Sequence, residues 1–333
     1  MSKETVLRLL REREGEFLSG EALSERLGVS RAAVWKAVSA LRRAGYGIEA
    51  VSGRGYRLGS APDTLDEGAI RARLGATARV GARLDCLRSV DSTNSYLKRI
   101  AAEGAPDGTV AAADEQTGGR GRRGRSFASP AGKGIYLSAL LRPELPPAAL
   151  MTLTGFTAVA ICDAIERTWA VRPRIKWTND LVLGGRKLCG ILTELSIEGE
   201  SGAVQYAIPG IGVNVTQTRE DFPEEIREIA TSLAVETGRR VPRAALAAAM
   251  IEELDRLYAA LLRGETAEYL AAYRRDCLTI GREVRLLWRD AEETATAVGV
   301  DDALGLIVRR ADGTEETVRT GEVSVRGLYG YAE

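Results

Sequence analysis

The N-terminal part of the chain contains a helix pattern, a tight turn, a second helix pattern and a hairpin pattern, and few folds accommodate that order. Ser19 is placed to cap a short helix over 21–27, and Gly28 ends it. Ser30 is placed to cap a second helix over about 31–44. A β-hairpin is predicted next, with GIEAV and YRL as its strands and Ser-Gly-Arg-Gly as its turn. The order predicts a winged helix-turn-helix.

The second helix has an apolar face and a basic face. Val34, Val38 and Leu41 recur at helical spacing and are expected to face inward. Residues 30–60 hold six Arg or Lys against one Glu, a charge suited to a phosphate backbone. A helical interaction module with a solvated basic face is the alternative. On the DNA-binding interpretation, the contacting residues are Ser30, Arg31, Trp35, Lys36, Arg42, Arg43 and Arg54.

Composition excludes several kinds of catalysis. The 333 residues include no histidine, so Ser-His-Asp and H-E-x-x-H chemistry are excluded. The four cysteines have no C-x-x-C spacing, which favours reduced thiols over a disulfide framework or a zinc site. Any catalysis must come from carboxylates, Lys, Arg or backbone dipoles, with or without Mg²⁺. No run of eighteen apolar residues and no signal peptide is present, so we expect a cytoplasmic protein without a membrane segment.

The remaining chain alternates irregularly between strand and helix patterns. Gly184 and Gly185 lie between two strand-like stretches as a tight hairpin turn, which indicates an α+β fold with a mixed, mainly antiparallel sheet. Long helical patterns cover 148–169 and about 241–274. Short alternating strands in the tail suggest a small β-barrel. The predicted organisation is a DNA-binding domain over 1–60, a linker over 61–68 within the Gly/Ser/Pro-containing stretch 59–68, a catalytic domain over 69–275, and a C-terminal domain over 276–333.

GGRGRRGR, residues 118–125, combines four arginines with four glycines. It formally matches G-x-G-x-x-G, but a loop with Pro130 and Gly132 and then a strand follow, where a dinucleotide fingerprint requires a helix. An arginine/glycine RNA-binding tract is normally repetitive, whereas this one is single. A loop that orders around carboxylate and phosphate oxygens remains.

Other short motifs indicate the same chemistry. DSTN at 91–94 places two hydroxyls at a helix start, where simple N-capping is the alternative. KWTND at 176–180 and RKLCGI, containing Lys187, hold two of the chain's six lysines. GIGVN at 210–214 allows close backbone approach. Together these motifs predict a pocket for an anionic ligand.

The chain resembles the biotin protein ligases over nearly its whole length. Five motifs occur in the order and approximate spacing of that family: DSTN, GRGRRGR, KWTNDL, RKLCGIL and GIGVN. The winged helix resembles the bifunctional class, in which the ligase is also the biotin-operon repressor. The resemblance implies a class II synthetase-like catalytic domain and an SH3-like C-terminal barrel. It also implies ATP, Mg²⁺ and biotin as cofactor and substrates, with Mg²⁺ carried by ATP.

The resemblance also implies roles for individual residues. The implied catalytic residues are Lys187, Arg120, Arg122 and Asp180. The implied biotin-binding residues are Ser92, Thr93, Asn94, Gln116, Gly119, Arg120, Arg122, Lys187 and Gly190. The implied ATP-binding residues are Arg120, Arg123, Arg125, Phe127, Lys176, Asn179 and Asn214. The VTQTRE segment after Asn214 departs from the family pattern.

The resemblance implies that biotin is converted to biotinyl-5'-AMP and passed to a lysine of the biotin carboxyl carrier protein. Operator DNA and a homodimer formed with biotinyl-5'-AMP bound are the other implied partners. Two alternatives stay open at this point: a ligand-sensing regulator without ligase activity, and a lipoate ligase, whose usual loop contains a histidine that this chain lacks.

Overall fold

The computed structural model describes residues 3–13, 15–43, 46–60, 63–287, 292–319 and 324–327. The chain forms two compact units, Met1–Asp63 and Thr64–Glu333. The predicted boundary between residues 275 and 276 lies inside the second unit. It stays a prediction, as does the predicted end of the first domain at residue 60.

The first unit is the predicted helix-turn-helix with a hairpin. Its elements are α1 (Lys3–Glu12), α2 (Gly20–Leu27), α3 (Arg31–Arg43), β1 (Gly47–Val51) and β2 (Gly55–Ser60). Both predicted caps form: Ser19 Oγ accepts from the amide of Ala22 at 3.0 Å, and Ser30 Oγ accepts from Ala33 at 3.2 Å. Gly28 ends α2 in the left-handed region at φ 62°. The predicted last residue of the second helix, Ala44, lies outside the described residues.

Packing of the first unit confirms the predicted helix faces. Val34, Val38 and Leu41 are buried, together with Leu23 of α2 and Ile48 of β1. The hairpin strands pair antiparallel. Burying one face of α3 leaves its basic face outward.

The second unit is built on a seven-stranded sheet in the order β3-β4-β5-β9-β8-β7-β6. Only β3 and β4 pair parallel within this sheet as described, so the predicted mainly antiparallel sheet is confirmed. Gly184 and Gly185, at φ 56° and 75°, form the predicted hairpin turn. The strands are β3 (Leu84–Leu87), β4 (Thr109–Ala113), β5 (Gly134–Leu140), β6 (Arg174–Lys176), β7 (Asp180–Leu183), β8 (Arg186–Ile197) and β9 (Val204–Asn214).

Helices cover both faces of this sheet. The helices are α4 (Glu67–Arg71), α5 (Thr93–Ala102), α6 (Leu153–Trp169), α7 (Leu233–Thr237), α8 (Arg243–Arg263) and α9 (Ala267–Asp276). Helices α6 and α8 pack on each other and on one face, and α5 packs on the other with its own apolar cluster around Leu97 and Ile208. The segment Pro147–Trp169 is long and apolar enough to cross a membrane by length and composition, but most of it is buried inside the unit. Its apolar character therefore serves the core.

Three predicted limits are corrected. The helix predicted from 148 begins at Leu153, because Pro147–Leu150 forms a separate 3₁₀ turn. The helix predicted over 241–274 is two helices, because Gly264 adopts a left-handed conformation at φ 71° and ends α8. The linker-like stretch 59–68 is shorter than predicted, since its ends belong to β2 and α4; residues 61 and 62 lie outside the described residues.

The C-terminal part is an antiparallel sheet of short strands, as the tail pattern predicts. Its spatial order is β13-β12-β11-β10-β14. Parts of the predicted tail, 288–291, 320–323 and 328–333, lie outside the described residues. The strands are β10 (Glu283–Leu287), β11 (Glu292–Val300), β12 (Leu306–Arg309), β13 (Glu315–Val318) and β14 (Ser324–Gly327).

Candidate active site and DNA-binding surface

A row of paired residues across four strands forms the floor of the candidate site. Asp180 of β7 is opposite Gly190 of β8, Gly190 is opposite Gly212 of β9, and Gly212 is opposite Tyr136 of β5. The glycines keep this floor free of side chains. The sheet register thus brings the KWTND, RKLCGI and GIGVN motifs together.

Phe127 covers the glycine row. A Cβ atom on Gly212 would lie 2.6 Å from the Phe127 ring, and one on Gly190 would lie 3.4 Å from it. The ring also meets Tyr136 edge-on, with 6.5 Å between ring centroids. Glycine at 212 is therefore required for Phe127 to occupy this position.

The arginine/glycine loop folds back on itself as a small hairpin. The amide of Phe127 donates to the carbonyl of Gly119 at 2.9 Å, and that of Gly121 donates to Arg125 at 2.7 Å. A Cβ on Gly119 would lie 2.4 Å from the Phe127 carbonyl, so this crossing requires glycine. Arg123, at φ 57°, adopts the left-handed conformation at the tip. The predicted ordering of the loop around a ligand stays a prediction.

Two of the loop's guanidinium groups contact the surrounding domain. Arg122 Nη1 donates to Asn179 Oδ1 at 2.9 Å, and Arg120 Nη2 donates to Ser95 Oγ at 2.7 Å. Burial lowers the pKa of Arg122 from its ordinary value, because the charged form loses solvation. Arg123 and Arg125 are exposed. Arg122 is thus the half-buried charge of the loop, whereas Arg120 is exposed like Arg123 and Arg125 although it bonds to Ser95.

The start of α5 carries a hydroxyl and amide network. Gln116 Oε1 accepts from the amide and the hydroxyl of Thr93, at 2.9 and 3.1 Å. Gln116 Nε2 donates to Ser129 Oγ at 3.0 Å. Ser92 is the N-cap residue of α5 by backbone conformation, yet its side chain makes no capping hydrogen bond. The capping alternative therefore does not account for this hydroxyl.

Asn94 is almost fully buried and links α5 to the sheet. Its Nδ2 donates to the Leu192 carbonyl at 3.1 Å and to Glu194 at 2.9 Å, while its Oδ1 accepts from Ser138 Oγ at 2.6 Å. Ser138 also lies 2.7 Å from the Thr93 hydroxyl. Ser138 is not among the predicted site residues, and its one signal in the sequence is a serine inside an otherwise apolar strand.

Lys187 lies at the start of β8, with its ammonium 2.7 Å from Asp180 Oδ1. Its amide donates to the Ile229 carbonyl at 2.7 Å, and its own carbonyl accepts from the Thr231 amide at 2.9 Å. Lys176 faces Asp180 across the β6–β7 pair. Asp180 therefore has one motif lysine as its strand partner and the ammonium of a second motif lysine within ion-pair distance.

The segment after β9 returns to this site, which the sequence reasoning did not foresee. Asn214 Nδ2 donates to the Thr231 carbonyl at 3.0 Å, and Asn214 Oδ1 accepts from Gln217 at 3.1 Å. Gln217 belongs to the VTQTRE segment that departs from the family pattern. Both ends of the Asn214 amide are thus engaged within the protein, and its predicted contact with nucleotide stays a prediction.

Thiol and metal chemistry find little support in the described residues. All four cysteines are free, as predicted, and three are buried. Burial and nearby carboxylates raise the pKa of Cys86 to about 12, so it is a thiol at neutral pH. Within the described ranges, no three His, Cys, Asp or Glu side chains converge as a metal site.

The recognition-helix surface of the first unit is basic and carries an exposed indole. Trp35 is 62% exposed, and Ser30, Arg31, Lys36, Arg43 and Arg54 are also exposed. Arg42 is exposed too, but its Nε and Nη2 donate to the Ile48 carbonyl at 2.9 and 2.6 Å and tie α3 to the hairpin. The Arg54 guanidinium lies 4.3 Å from the centroid of the Phe17 ring.

Family models match three regions of the chain: an HTH domain over residues 3–57, the biotin/lipoate A/B protein ligase family over 86–214, and the biotin protein ligase C terminal domain over 279–326. The chain is 35% identical to a bifunctional ligase/repressor BirA of Bacillus spizizenii, covering 94% of this chain and 96% of that protein. It is 34% identical to the Escherichia coli protein of the same name, covering 94% of each.

A solved structure gives the same result for the fold. The biotin protein ligase of Aquifex aeolicus, in complex with biotin and ATP, superposes with a TM-score of 0.62 at 30% identity. The match covers 74% of this chain and 99% of that structure. With the three matched regions and relatives of nearly equal length, the chain belongs to the family of biotin protein ligases that carry an N-terminal helix-turn-helix domain.

Proposed function

We propose that this protein activates biotin with ATP, transfers it to a lysine of the biotin carboxyl carrier protein, and represses transcription of biotin-synthesis genes. The observation that carries the ligase proposal is Lys187, held beside Asp180 at a glycine-lined floor that the arginine loop borders. A cytoplasmic location belongs to the same proposal, because the reaction uses ATP and the repressor uses DNA.

The first step needs charge neutralisation more than proton transfer. The biotin carboxylate is ionised at neutral pH, so it attacks the α-phosphate without a general base and pyrophosphate leaves. Lys187, Arg120 and Arg122 are the cations placed to neutralise the negative charge that gathers in the transition state. Mg²⁺, bound with ATP, would add charge neutralisation at the phosphates. The absence of histidine is compatible with this chemistry.

The second step transfers the biotinyl group. The neutral amine of the acceptor lysine attacks the mixed-anhydride carbonyl, an amide bond forms, AMP leaves with the bonding electron pair, and the amine loses a proton. Asp180 is our proposed proton acceptor. Its ion pair with Lys187 would have to loosen for this role. The loop over residues 118–125 would shield the anhydride from water until the acceptor arrives.

Each predicted ligand contact belongs to the proposal. Biotin would lie near Ser92, Thr93, Asn94, Gln116, Gly119 and Gly190, and the nucleotide would meet Arg123, Arg125, Phe127, Lys176, Asn179 and Asn214. Two observations support the biotin assignment. Thr93 donates to Gln116 from both its amide and its hydroxyl, which fixes the Gln116 amide at the start of α5. The neighbouring Ser92 hydroxyl makes no capping hydrogen bond. Phe127 would cover the adenine, and its contact with Gly212 supports a place for it at the floor.

Repression would use a homodimer formed when biotinyl-5'-AMP is bound. Residues 193–197 of β8 pair only with β9 among the described strands, which leaves one edge open for strand addition. Leu195 and Ile197 on this stretch are 37% and 49% exposed. Arg120 of the loop reaches Glu194 on the same stretch, at 3.7 Å. A two-fold dimer would present two recognition helices to a palindromic operator.

The test of the ligase proposal is pyrophosphate release from Mg-ATP with biotin, with lipoate and with neither. We expect release with biotin alone, and loss of at least about 100-fold in Lys187→Ala. Lys36→Ala is the matched control, because Lys36 is an exposed lysine on α3 of the first unit and belongs to none of the ligase motifs. Release with lipoate would favour the lipoate ligase. A folded protein that binds biotin without releasing pyrophosphate would be a ligand-sensing regulator.

A further inference from the structure

Trp177, in the centre of the KWTND motif, connects the candidate site to the C-terminal sheet. Its side chain is buried, and its Nε1 donates to the Leu304 carbonyl at 2.8 Å. Its backbone amide donates to Thr279 Oγ1 at 3.0 Å. Both acceptors lie more than a hundred residues along the chain, beyond α9. The motif is therefore held by a part of the protein outside the seven-stranded sheet.

The turn that contains Leu304, residues 301–305, is held by several internal hydrogen bonds. Asp301 Oδ1 accepts from the amides of Ala303 and Gly305, at 2.9 and 2.7 Å. The Asp301 amide donates to the Gly305 carbonyl at 2.9 Å. Leu304 lies in the left-handed region at φ 62°, which a leucine seldom adopts unless its surroundings impose it. The carboxylate of Asp301 thus fixes the direction of the Leu304 carbonyl.

The same turn is seated on α6. A Cβ atom on Gly155 would lie 2.3 Å from Leu304 Cδ1, so only glycine at that position of α6 admits the leucine. Arg274 of α9 donates to the Val300 carbonyl at 3.0 Å, next to the turn. These contacts hold the turn from two helices, which leaves it little freedom relative to the large sheet.

The residues that follow Trp177 carry the candidate chemistry. Thr178 accepts at its carbonyl from the buried Tyr273 hydroxyl at 3.2 Å. Asn179 then contacts Arg122, and Asp180 pairs with Lys187. Only two residues, Thr178 and Asn179, therefore separate the anchored Trp177 from Asp180, which pairs with the proposed catalytic lysine.

We propose that the turn Asp301–Gly305 is a positioning element for the ligase reaction. Through the carbonyl of Leu304 it holds Trp177, and through Trp177 it sets Asn179 and Asp180 against Arg122 and Lys187. Trp177 and Asp301 are positioning residues and touch no substrate. This inference rests on the proposed ligase function and adds the C-terminal sheet to its active-site construction.

The test compares two tryptophan-to-phenylalanine variants. Trp177→Phe keeps a buried ring and removes the donor to Leu304. Trp169→Phe is the matched control: Trp169 is fully buried in the same unit, and its indole N–H has no hydrogen-bond partner among the described residues. Biotin-dependent pyrophosphate release gives kcat and KM for each variant, and thermal unfolding gives the stability.

We expect kcat of Trp177→Phe to fall about tenfold, with KM for biotin and ATP within about twofold, since alignment is lost in the transition state more than in the bound ground state. Trp169→Phe is expected to keep kcat within about twofold while losing comparable stability. Equal losses of kcat in both variants, or an unchanged kcat in Trp177→Phe, would overturn the proposal. Absence of biotin-dependent release in the unaltered protein would instead overturn the ligase function itself.

A second pair covers the case in which Trp177→Phe does not fold. Asp301→Ala removes the carboxylate that shapes the turn, and Asp312→Ala removes the equivalent acceptor of the exposed β12–β13 turn, where Oδ1 accepts from Thr314. Asp301→Ala is expected to lower kcat about fivefold to tenfold at constant KM. If both aspartate variants retain kcat within about twofold, the turn does not position the site.

Discussion

The guanidinium of Arg122 donates to the side-chain carbonyl of Asn179 at 2.9 Å, joining the arginine loop to the turn between β6 and β7. Asn179 completes the link by donating from Nδ2 to the Ile191 carbonyl at 2.9 Å. One amide thus connects the loop, the KWTND turn and β8. This amide is one of the contacts that hold the loop, together with the bonds of Arg120 to Ser95 and of Gly118 to Asp91.

Asn179→Ala should therefore loosen the loop. Without its acceptor, the half-buried Arg122 loses a charge-assisted hydrogen bond, and the loop closes less firmly over the bound adenylate. We expect biotinyl-5'-AMP to dissociate about tenfold faster, measured by chasing labelled adenylate with unlabelled biotin and ATP. Gln205→Ala, on β9, is the control. Equal dissociation rates in the two variants would show that Asn179 does not hold the loop.

Gly212→Ala tests the glycine floor. The new methyl group would meet the Phe127 ring at 2.6 Å, so the ring must move away from the floor. We expect KM for ATP to rise about tenfold or more in the pyrophosphate assay. Gly199→Ala adds the same methyl where no atom lies within 4 Å and should leave KM unchanged. An unaltered KM in Gly212→Ala would contradict the role given to Phe127.

Glu194 links pH to stability. Burial raises its pKa, but hydrogen bonds from Lys98 and Asn94 and the nearby charges outweigh this effect and leave the pKa below its ordinary 4.5. The carboxylate therefore contributes stability above pH 4.5, and this contribution is lost as the pH falls through the lowered folded pKa.

Glu194→Gln should consequently unfold at lower urea concentration than the unaltered protein at pH 7, and the difference should shrink as the pH drops below the ordinary glutamate range. Glu265→Gln is the control, because Glu265 is 62% exposed in its pair with Arg263. A difference that stays constant from pH 7 to acid would mean that Glu194 is not stabilised as a carboxylate.

The DNA surface can be tested through salt. Lys36 is exposed on α3, and its replacement by alanine should weaken operator binding and reduce the slope of log K against log salt by about one. Fluorescence anisotropy across a salt series measures both effects. Arg8→Ala, on α1, removes another exposed charge as control. A slope that Lys36→Ala leaves unchanged would remove Lys36 from the interface.

The open edge of β8 predicts a dimer variant. Ile197→Lys places a charge on an exposed apolar position beside the unpaired strand edge, which disfavours strand addition. We expect dimerisation with biotin and ATP, measured by sedimentation velocity, to weaken at least about tenfold while pyrophosphate release is retained. Unchanged dimerisation would place the interface elsewhere.

Local patterns in the sequence were sufficient for the caps of the helix-turn-helix and for the β7–β8 turn. Ser19, Ser30 and the Gly184–Gly185 turn act through neighbours in the chain, so their roles are visible in the sequence. The division of the 241–274 helix at Gly264 depended on one backbone conformation, and glycine alone does not specify it.

Contacts distant in sequence account for the rest. The hydrogen bond of Trp177 with Leu304 and the return of Thr231 to Lys187 join segments whose local patterns carry no information about each other. Ser138 is similar, because a serine within a buried strand indicates a polar partner without saying which residue it is. The order of the motifs was sufficient to predict the site. The contacts that support it could be seen only in the folded structure.

The backbone of Lys187 is covered by residues 229–231 through two hydrogen bonds, and the opening of this contact can be measured. Its amide is shielded by the Ile229 carbonyl, and the Thr231 amide is shielded by the carbonyl of Lys187. Any motion that lifts the 229–231 segment from β8 exposes both amides to solvent in the same event. Deuterium uptake at these two positions would rise together, and its rate would measure how often the lysine is uncovered.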